Sequence, residues 1–264
     1  ERNRRATSSC LETFMTGMTD MARNRFRALT YNVHSCIGTD RKLDPARIAD
    51  VIASCEPDIV ALQELDVGRQ RTGAVDQADA IASLLKMKAL FPPAVHRAEE
   101  KYGDAILTSL PMRTRKTGAL PSIGEPRGAI WSEIVLEDIK IDVFNTHLGL
   151  RRGERMEQVN TLLGGGWLGH PECRDGYRIL MGDFNAVPAS RAYQQLARAM
   201  TDGWKYARKR PRPTFHSRCP VLRLDHIFLA GEMIAKNMHV VSTPLSRVAS
   251  DHLPLVADIE MNEA

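Results

Sequence analysis

The sequence is short of the features that would place it in a special class. It has no apolar run long enough to cross a bilayer. Its first residues, ERNRRATSSCLETFMTGMTDMARNR, are basic but have no apolar centre of the signal-peptide kind. The cysteines number five (Cys10, Cys36, Cys55, Cys173 and Cys219), an odd count without a CxxC pair. That composition argues against a disulfide framework and against a zinc site, and for scattered free thiols in a reducing compartment. Aromatics are only 6% of the chain, and the net charge is a modest +4. A small basic excess is compatible with an anionic substrate without identifying one, and many nucleic-acid binders are more basic. There is no Pro/Ser-rich linker, no low-complexity segment and no short-period repeat. The expectation is a cytoplasmic, monomeric protein with a polar N-terminal extension over residues 1–24 and a single domain over residues 25–264.

What is present reads as an ordinary globular chain. Hydrophobic residues make up 43% and charged residues 26% of 264 positions, enough for a core that needs no covalent staple. FRALTYNV (26–33) and PDIVALQE (57–64) read as buried strands ending in polar groups. A helix is expected from Pro45, which suits a first turn behind a capping Asp44, with Ile48, Val51 and Ile52 as its apolar stripe. Residues 76–86 read as a second helix. Strands follow around 89–95, 102–109, 113–120, 128–136 and 139–146, with Glu137-Asp138 as a tight turn between the last two. Residues 152–163 are helical, and Gly164-Gly165-Gly166 ends that helix. YRILMGDFN (177–185) is a strand running into a loop, residues 191–200 are helical, and 225–229, 238–242 and 253–260 read as strands. The pattern is α/β, with two packed sheets. The basic, proline-broken stretch 204–223 is a loop, open to two readings: a solvated surface loop or one that faces substrate.

Several strands end on chemistry. Asn32 closes the first and Glu64 the second. His147 stands in NTHL, Asp183 and Asn185 in GDFN, Asp225 in LDHI, and Asp251 with His252 in SDHLP. Each signal is weak alone. Their joint placement at strand ends, where loops carry function on a rigid scaffold, is what counts. Glu64 and Asp251 are hard oxygen ligands and Asn32 adds a carbonyl oxygen, a set that suits Mg2+ or Mn2+. Asp183 can take a proton from water, and Asn185 can orient that carboxylate or a phosphate. His252 and Asp225 form a carboxylate–imidazole pair that favours the charged ring. No serine, cysteine or lysine in these motifs has an activating partner, so water is the expected nucleophile.

These motifs, with YGDAILTSLPM (102–112) and EPRGAI (125–130), resemble the endonuclease/exonuclease/phosphatase superfamily with its deoxyribonuclease-I-like fold. Within it, PTFHSRCPVLRLDHIF (213–228) and EPRGAI are most similar to small bacterial members described as metal-dependent hydrolases. The order of motifs matches from residue 26 to 259. The resemblance implies a four-layer α/β sandwich with two packed mixed, mainly antiparallel sheets and the site at one edge. It implies divalent-metal-dependent cleavage of a phosphoester. It puts Asn32 and Glu64 on the metal site, Asp251 near the metal or the phosphate, and Asp183 on the water-activating position with Asn185 beside it. Asp225 and His252 fall on the paired carboxylate and histidine, and His147 on the histidine that stabilises the transition state. Asp104 departs from the family's usual Asn, and an unpaired carboxylate there would repel phosphate. Arg127 can clamp a phosphate or make a structural salt bridge. His34 can be a site residue or a satisfied polar residue at a strand end. His226 should point away from the site by strand alternation.

The expected function is a Mg2+-dependent (or Mn2+-dependent) phosphodiesterase acting on a small or lipid phosphodiester. One alternative is a nuclease on DNA or RNA, carried by the basic loop. The other is a non-catalytic binding protein that keeps the fold. The partner is therefore a phosphoester, with nucleic acid or phospholipid as the open classes.

Overall fold

A computed structural model describes residues 24–97 and 100–262. The expected N-terminal extension lies, except for its last residue, outside the described residues.

Two sheets stack face to face. The first has the order β12 (Met233–Val240), β13 (Leu255–Met261), β1 (Arg25–Asn32), β2 (Ile59–Val67) and β5 (Glu100–Thr108), and the short β3 (Lys88–Leu90) and β4 (Pro93–Arg97) both pair with β5. The second has the order β10 (Thr201–Asp202), β11 (Asp225–Ala230), β9 (Tyr177–Asp183), β8 (Ile139–His147), β7 (Arg127–Leu136) and β6 (Met112–Leu120). Two described pairings are parallel, β1 with β2 and β8 with β9, and the others are antiparallel. Each parallel pair is joined through a helix, α1 (Pro45–Ala53) in the first sheet and α3 (Arg152–Leu163) in the second, because parallel neighbours need a crossover. With α1, the helices α2 (Gln77–Leu85) and α5 (Ser246–Ala249) cover the outside of the first sheet, and α3 with α4 (Arg191–Ala199) covers the second. This is the helix–sheet–sheet–helix sandwich that the sequence led us to expect.

Local chemistry explains most boundaries. The Asp44 carboxylate accepts from the Arg47 N–H ahead of Pro45, and Asp76 does the same for Asp79 at the start of α2. Helix α3 ends at Gly164, but in an extended conformation (φ −71°, ψ 169°) and not the left-handed one usual for a glycine stop. The strand expected over 89–95 is split at Phe91-Pro92 into β3 and β4. The strand expected from 238 begins at Met233, because a bulge at Ala235/Asn237 lets Met233, Ala235 and Met238 all reach the core. Strand β10 and helix α5, two and four residues long, are too short to show a period in sequence.

The space between the sheets changes character along the strands. Inward positions run Phe26, Ala28, Thr30, Asn32 on β1 and Ile141, Val143, Asn145, His147 on β8. On β9 they run Ile179, Met181, Asp183. Apolar side chains fill the lower part. Above them Gln63 donates to Asn145 Oδ1 at 2.8 Å and to Thr30 Oγ1 at 3.1 Å, while Asn145 donates to the carbonyls of Leu62 and Ala105. This satisfied polar layer ties the two sheets together just below the strand ends.

Candidate active site

Three neighbouring strands of the second sheet set His147, Asp183 and Asp225 side by side. His147 pairs with Asp183 across β8–β9, and Asp183 with Asp225 across β9–β11. Gly182 makes the approach possible: at φ +148° its backbone lies so close to β8 that a β-carbon would sit 1.9 Å from the Thr146 carbonyl oxygen.

The first sheet supplies Asn32 and Glu64. Simple alternation would send Glu64 to the helix side, since Gln63 already points inward. A bulge between Leu62 and Leu65, with Glu64 in the left-handed region at φ +61°, turns its carboxylate to the strand ends. Such backbone costs about 1–3 kcal/mol in a non-glycine residue and tends to persist at functional sites. Asn185, at φ +46°, is a second residue of this kind.

Hydrogen bonds knit these groups into one cluster. Asn32 Nδ2 donates to Glu64 Oε1 at 2.9 Å and to Asp183 Oδ2 at 3.0 Å. Two carboxylates can only accept, so the amide must present its nitrogen to them. Its oxygen accepts from the His34 N–H. Asn32 therefore acts here as a brace between the two acids, a different contact from the carbonyl ligand expected of it. The Asn185 N–H donates to Asp183 Oδ1 at 2.8 Å, and its side-chain amide lies 3.0 Å from His147 Nε2. His252 Nδ1 bonds Asp225 Oδ2 at 2.9 Å. Asp183 Oδ2 lies 3.4 Å from His147 Nε2 and 3.5 Å from His252 Nε2. The loop bearing Asp251 and His252 is tied down by Ser250, whose hydroxyl donates to the Asn32 carbonyl.

Arg127 faces inward. It lies 3.0 Å from His147 Nδ1 and 3.1 Å from Glu125, and is 7% exposed. Of the two readings open for it, these contacts match the structural ion pair. Arg127 only donates, so His147 Nδ1 accepts from it, while Nε2 faces both the Asn185 amide and Asp183.

The two imidazoles differ in charge. Burial lowers His252, but the Asp225 and Asp183 carboxylates and the bond to Asp225 outweigh it and push the ring up to about 10. Burial, then the Arg127 and His252 cations, hold His147 well below the ordinary range. Burial pushes the Asp183 carboxyl up, and the His252 cation pulls it back. Burial likewise raises Asp104 to about 7, against the pull of Arg127. A carboxyl raised in this way carries less charge near neutrality than an ordinary aspartate and repels a phosphate less.

The residues gather around a cleft of about 390 Å³. Glu64, Arg127, His147, Asp183, Asn185, Asp251 and His252 line it, while Asn32 and Asp225 lie behind, each bonded to a lining group. His34, Tyr102, Glu125, Arg71 and Phe215 also line it. Tyr102 and Glu125 belong to the quoted motifs, His34 follows Asn32 and Phe215 lies in the basic stretch 204–223, but nothing in the local sequence marks Arg71. His226 is turned to the other face, where its Nε2 meets the Ala186 carbonyl at 2.7 Å, as alternation requires.

Two donor sets could hold a cation. Asp183, Asp225 and His252 have ligand atoms within 4.8 Å of one another. That set does not fit while the His252 ring carries its proton and gives Nδ1 to Asp225. Glu64, braced by Asn32 and with its side chain 22% exposed, and Asp251, 26% exposed, offer oxygens toward the cleft and fit a hard cation better.

The model of the endonuclease/exonuclease/phosphatase family matches residues 29–252, a span that contains every residue of this cluster. The chain belongs to that family. The family's members are phosphoester hydrolases. The chain is 27% identical over 252 residues to the uncharacterized protein YbhP of Escherichia coli strain K12, covering 89% of this chain and 96% of that one. A solved endonuclease/exonuclease/phosphatase structure from Beutenbergia cavernae superposes with a TM-score of 0.74 at 22% identity, covering 92% of this chain and 73% of the other. The mannosyl-6-phosphatase of Bacteroides thetaiotaomicron superposes at 0.71 with 18% identity, covering 89% and 99%. At such identities the likeness concerns the fold.

Proposed function

We propose that this family member is a divalent-metal-dependent phosphodiesterase acting on a small or lipid phosphodiester, with water as the nucleophile. The observation that carries the reading is the Asp183 carboxylate, raised by burial and shared between a neutral and a charged imidazole at 3.4 and 3.5 Å. Asp183 accepts the proton of the attacking water, and Asn185 holds the other oxygen of that carboxylate in place. The His252 cation, fixed by Asp225, donates to a non-bridging phosphate oxygen as charge builds there. Neutral His147 borders the same oxygen on the other side through Nε2. Glu64 and Asp251, with Asn32 bracing Glu64, would hold Mg2+ or Mn2+. The ion supplies charge stabilisation at the phosphoryl and leaving oxygens. The buried free thiols Cys36, Cys55 and Cys173 suit a reducing, cytoplasmic setting.

The nuclease reading rests on the basic loop, and the path of that loop favours it little. Arg208 lies beside Arg25, Arg27 and Glu260 at the start of β1. Seven residue steps along a strand put that end about 23 Å from Asn32. Trp204 is buried, and Arg223 is held by Asp202 and the Tyr193 ring. Only the far end of the loop, with Phe215, reaches the cleft. The test is hydrolysis of bis(p-nitrophenyl) phosphate with Mg2+ or Mn2+, compared with plasmid DNA and single-stranded RNA. Chelator should abolish turnover, and calorimetry should find Mn2+ binding sharply weakened in Glu64→Ala. Equal Mn2+ affinity in both proteins would overturn the metal assignment. Efficient, salt-sensitive cleavage of DNA or RNA would promote the nuclease.

A further inference from the structure

Large hydrophobic side chains exposed on the described surface gather at the mouth of the cleft. Nine are exposed in all. Five of them, Leu43, Ile123, Leu150, Val221 and Leu222, belong to the segments that wall the cleft. Leu150 lines it directly at 72% exposure. Ile123, at 64%, stands next to it, since its N–H donates to the Glu154 carboxylate that packs on Gly149. On another side, Val221 and Leu222 both donate their N–H groups to the carbonyl of Phe215, a cleft residue. Leu43 bridges Ile37, another cleft residue. Arg218 fastens these last two segments together by donating to the Thr39 hydroxyl and carbonyl.

Around these apolar tips the exposed charges are mostly cationic: Arg41, Lys42, Arg151, Arg152 and Arg218, with Arg71 paired to buried Asp66, against Asp40 and Glu125. We infer that this rim is a docking face for the surface of an anionic phospholipid bilayer, laid so that the cleft opens onto the headgroups. The inference rests on the phosphodiesterase reading and narrows its substrate class to phospholipid. Isolated apolar residues on a soluble protein need no explanation, but apolar tips ringing one polar cleft do. Aliphatic side chains flanked by arginine match an interface with acyl chains beneath and anionic headgroups above. Exposed Leu, Ile and Val offer no stacking plane to unpaired bases, so a nucleic acid would gain little from them. The tips also stand apart around an opening. A surface that meets all of them covers the cleft, and a bilayer's own phosphodiesters lie at that level.

The experiment uses the full chain and two vesicle populations, phosphatidylglycerol mixed with phosphatidylcholine and phosphatidylcholine alone. Sedimentation measures binding, and release of water-soluble phosphate ester measures turnover. Bis(p-nitrophenyl) phosphate in the same buffer reports on the site independently. Binding should favour the anionic vesicles, and lipid turnover should accompany it. The double variant Ile123→Ser/Val221→Ser, whose positions do not line the cleft, should bind those vesicles at least about tenfold more weakly, the scale set by losing two buried aliphatic groups. Its turnover of the soluble diester should be unchanged. Equal vesicle binding by wild type and variant, or no preference for anionic vesicles, overturns the docking face. Vesicle binding without hydrolysis of either diester overturns the phosphodiesterase reading and leaves the face standing.

Discussion

The cleft has two sides that begin alike and end opposite. On each, a buried imidazole presents Nε2 to the same Asp183 oxygen, at 3.4 Å for His147 and 3.5 Å for His252. Behind His252 stands Asp225, and the ring is charged; behind His147 stands Arg127, and the ring is neutral. His226 is a control: buried, with no carboxylate bonded to it, it is pushed down to about 4. Burial, with the Arg223 cation adding to it, keeps His226 neutral, whereas the carboxylates beside His252 restore that ring's charge. Burial lowers both rings, and the carboxylates beside His252 are what give the two sides different charges.

The largest expected effect comes from removing the group both sides share. Asp183→Asn should lower phosphodiester turnover by two or more orders of magnitude, roughly what loss of a positioned base costs. Thermal denaturation should show the fold intact. Near-normal turnover would mean that neither side works through Asp183. Asp225→Asn comes next and should abolish the asymmetry itself. By NMR, the wild-type His252 ring should stay protonated until about pH 10, whereas in the variant, with only Asp183 and Asp251 left to oppose burial, it should titrate well below that. An unchanged titration would move the cause away from Asp225. The charged His252 contributes stability that is fully present below the unfolded value near 6.5 and is lost as pH rises through about 10.

His226 should show the opposite dependence. Its folded value near 4 lies below 6.5, so the unfolded chain binds the extra proton between those pH values, and stability falls as pH drops through that window. The full loss is on the order of 3 kcal/mol. His226→Gln, which can still donate to the Ala186 carbonyl, should flatten that part of a urea-unfolding profile, and an unchanged slope would refute the assignment. The smallest effect belongs to Arg127→Met. Because burial is the larger cause, His147 should titrate only slightly higher and remain neutral at pH 7. A ring charged at pH 7 in that variant would make Arg127 the main cause.

Much of this was legible in the chain. Alternation in RFRALTYN, YRILMGD and DHIFLA puts Asn32, Asp183 and Asp225 on inward faces and His226 outward, and Asp44-Pro45 marks the start of a helix. Local periodicity suffices there because one strand has only two faces. It fails at Glu64, where counting by twos gives the wrong face. The bulge and positive φ that correct it arise only from pairing β2 with β5. Arg127 is ambiguous for a related reason: whether a guanidinium meets a phosphate or a histidine depends on what the neighbouring strand brings to it, here His147 on β8. The basic stretch 204–223 shows charge but not direction, and its path toward the start of β1 was decided by packing.

The sequence by itself determined which atoms could do chemistry and on which strand faces most of them lie, since residue type and a period of two are local properties. Tertiary structure decided their charges and their company. A ring's protonation is set by low dielectric and by partners distant in the chain, such as Asp225 for His252 and Arg127 for His147, and those distances exist only once the two sheets have closed on one another.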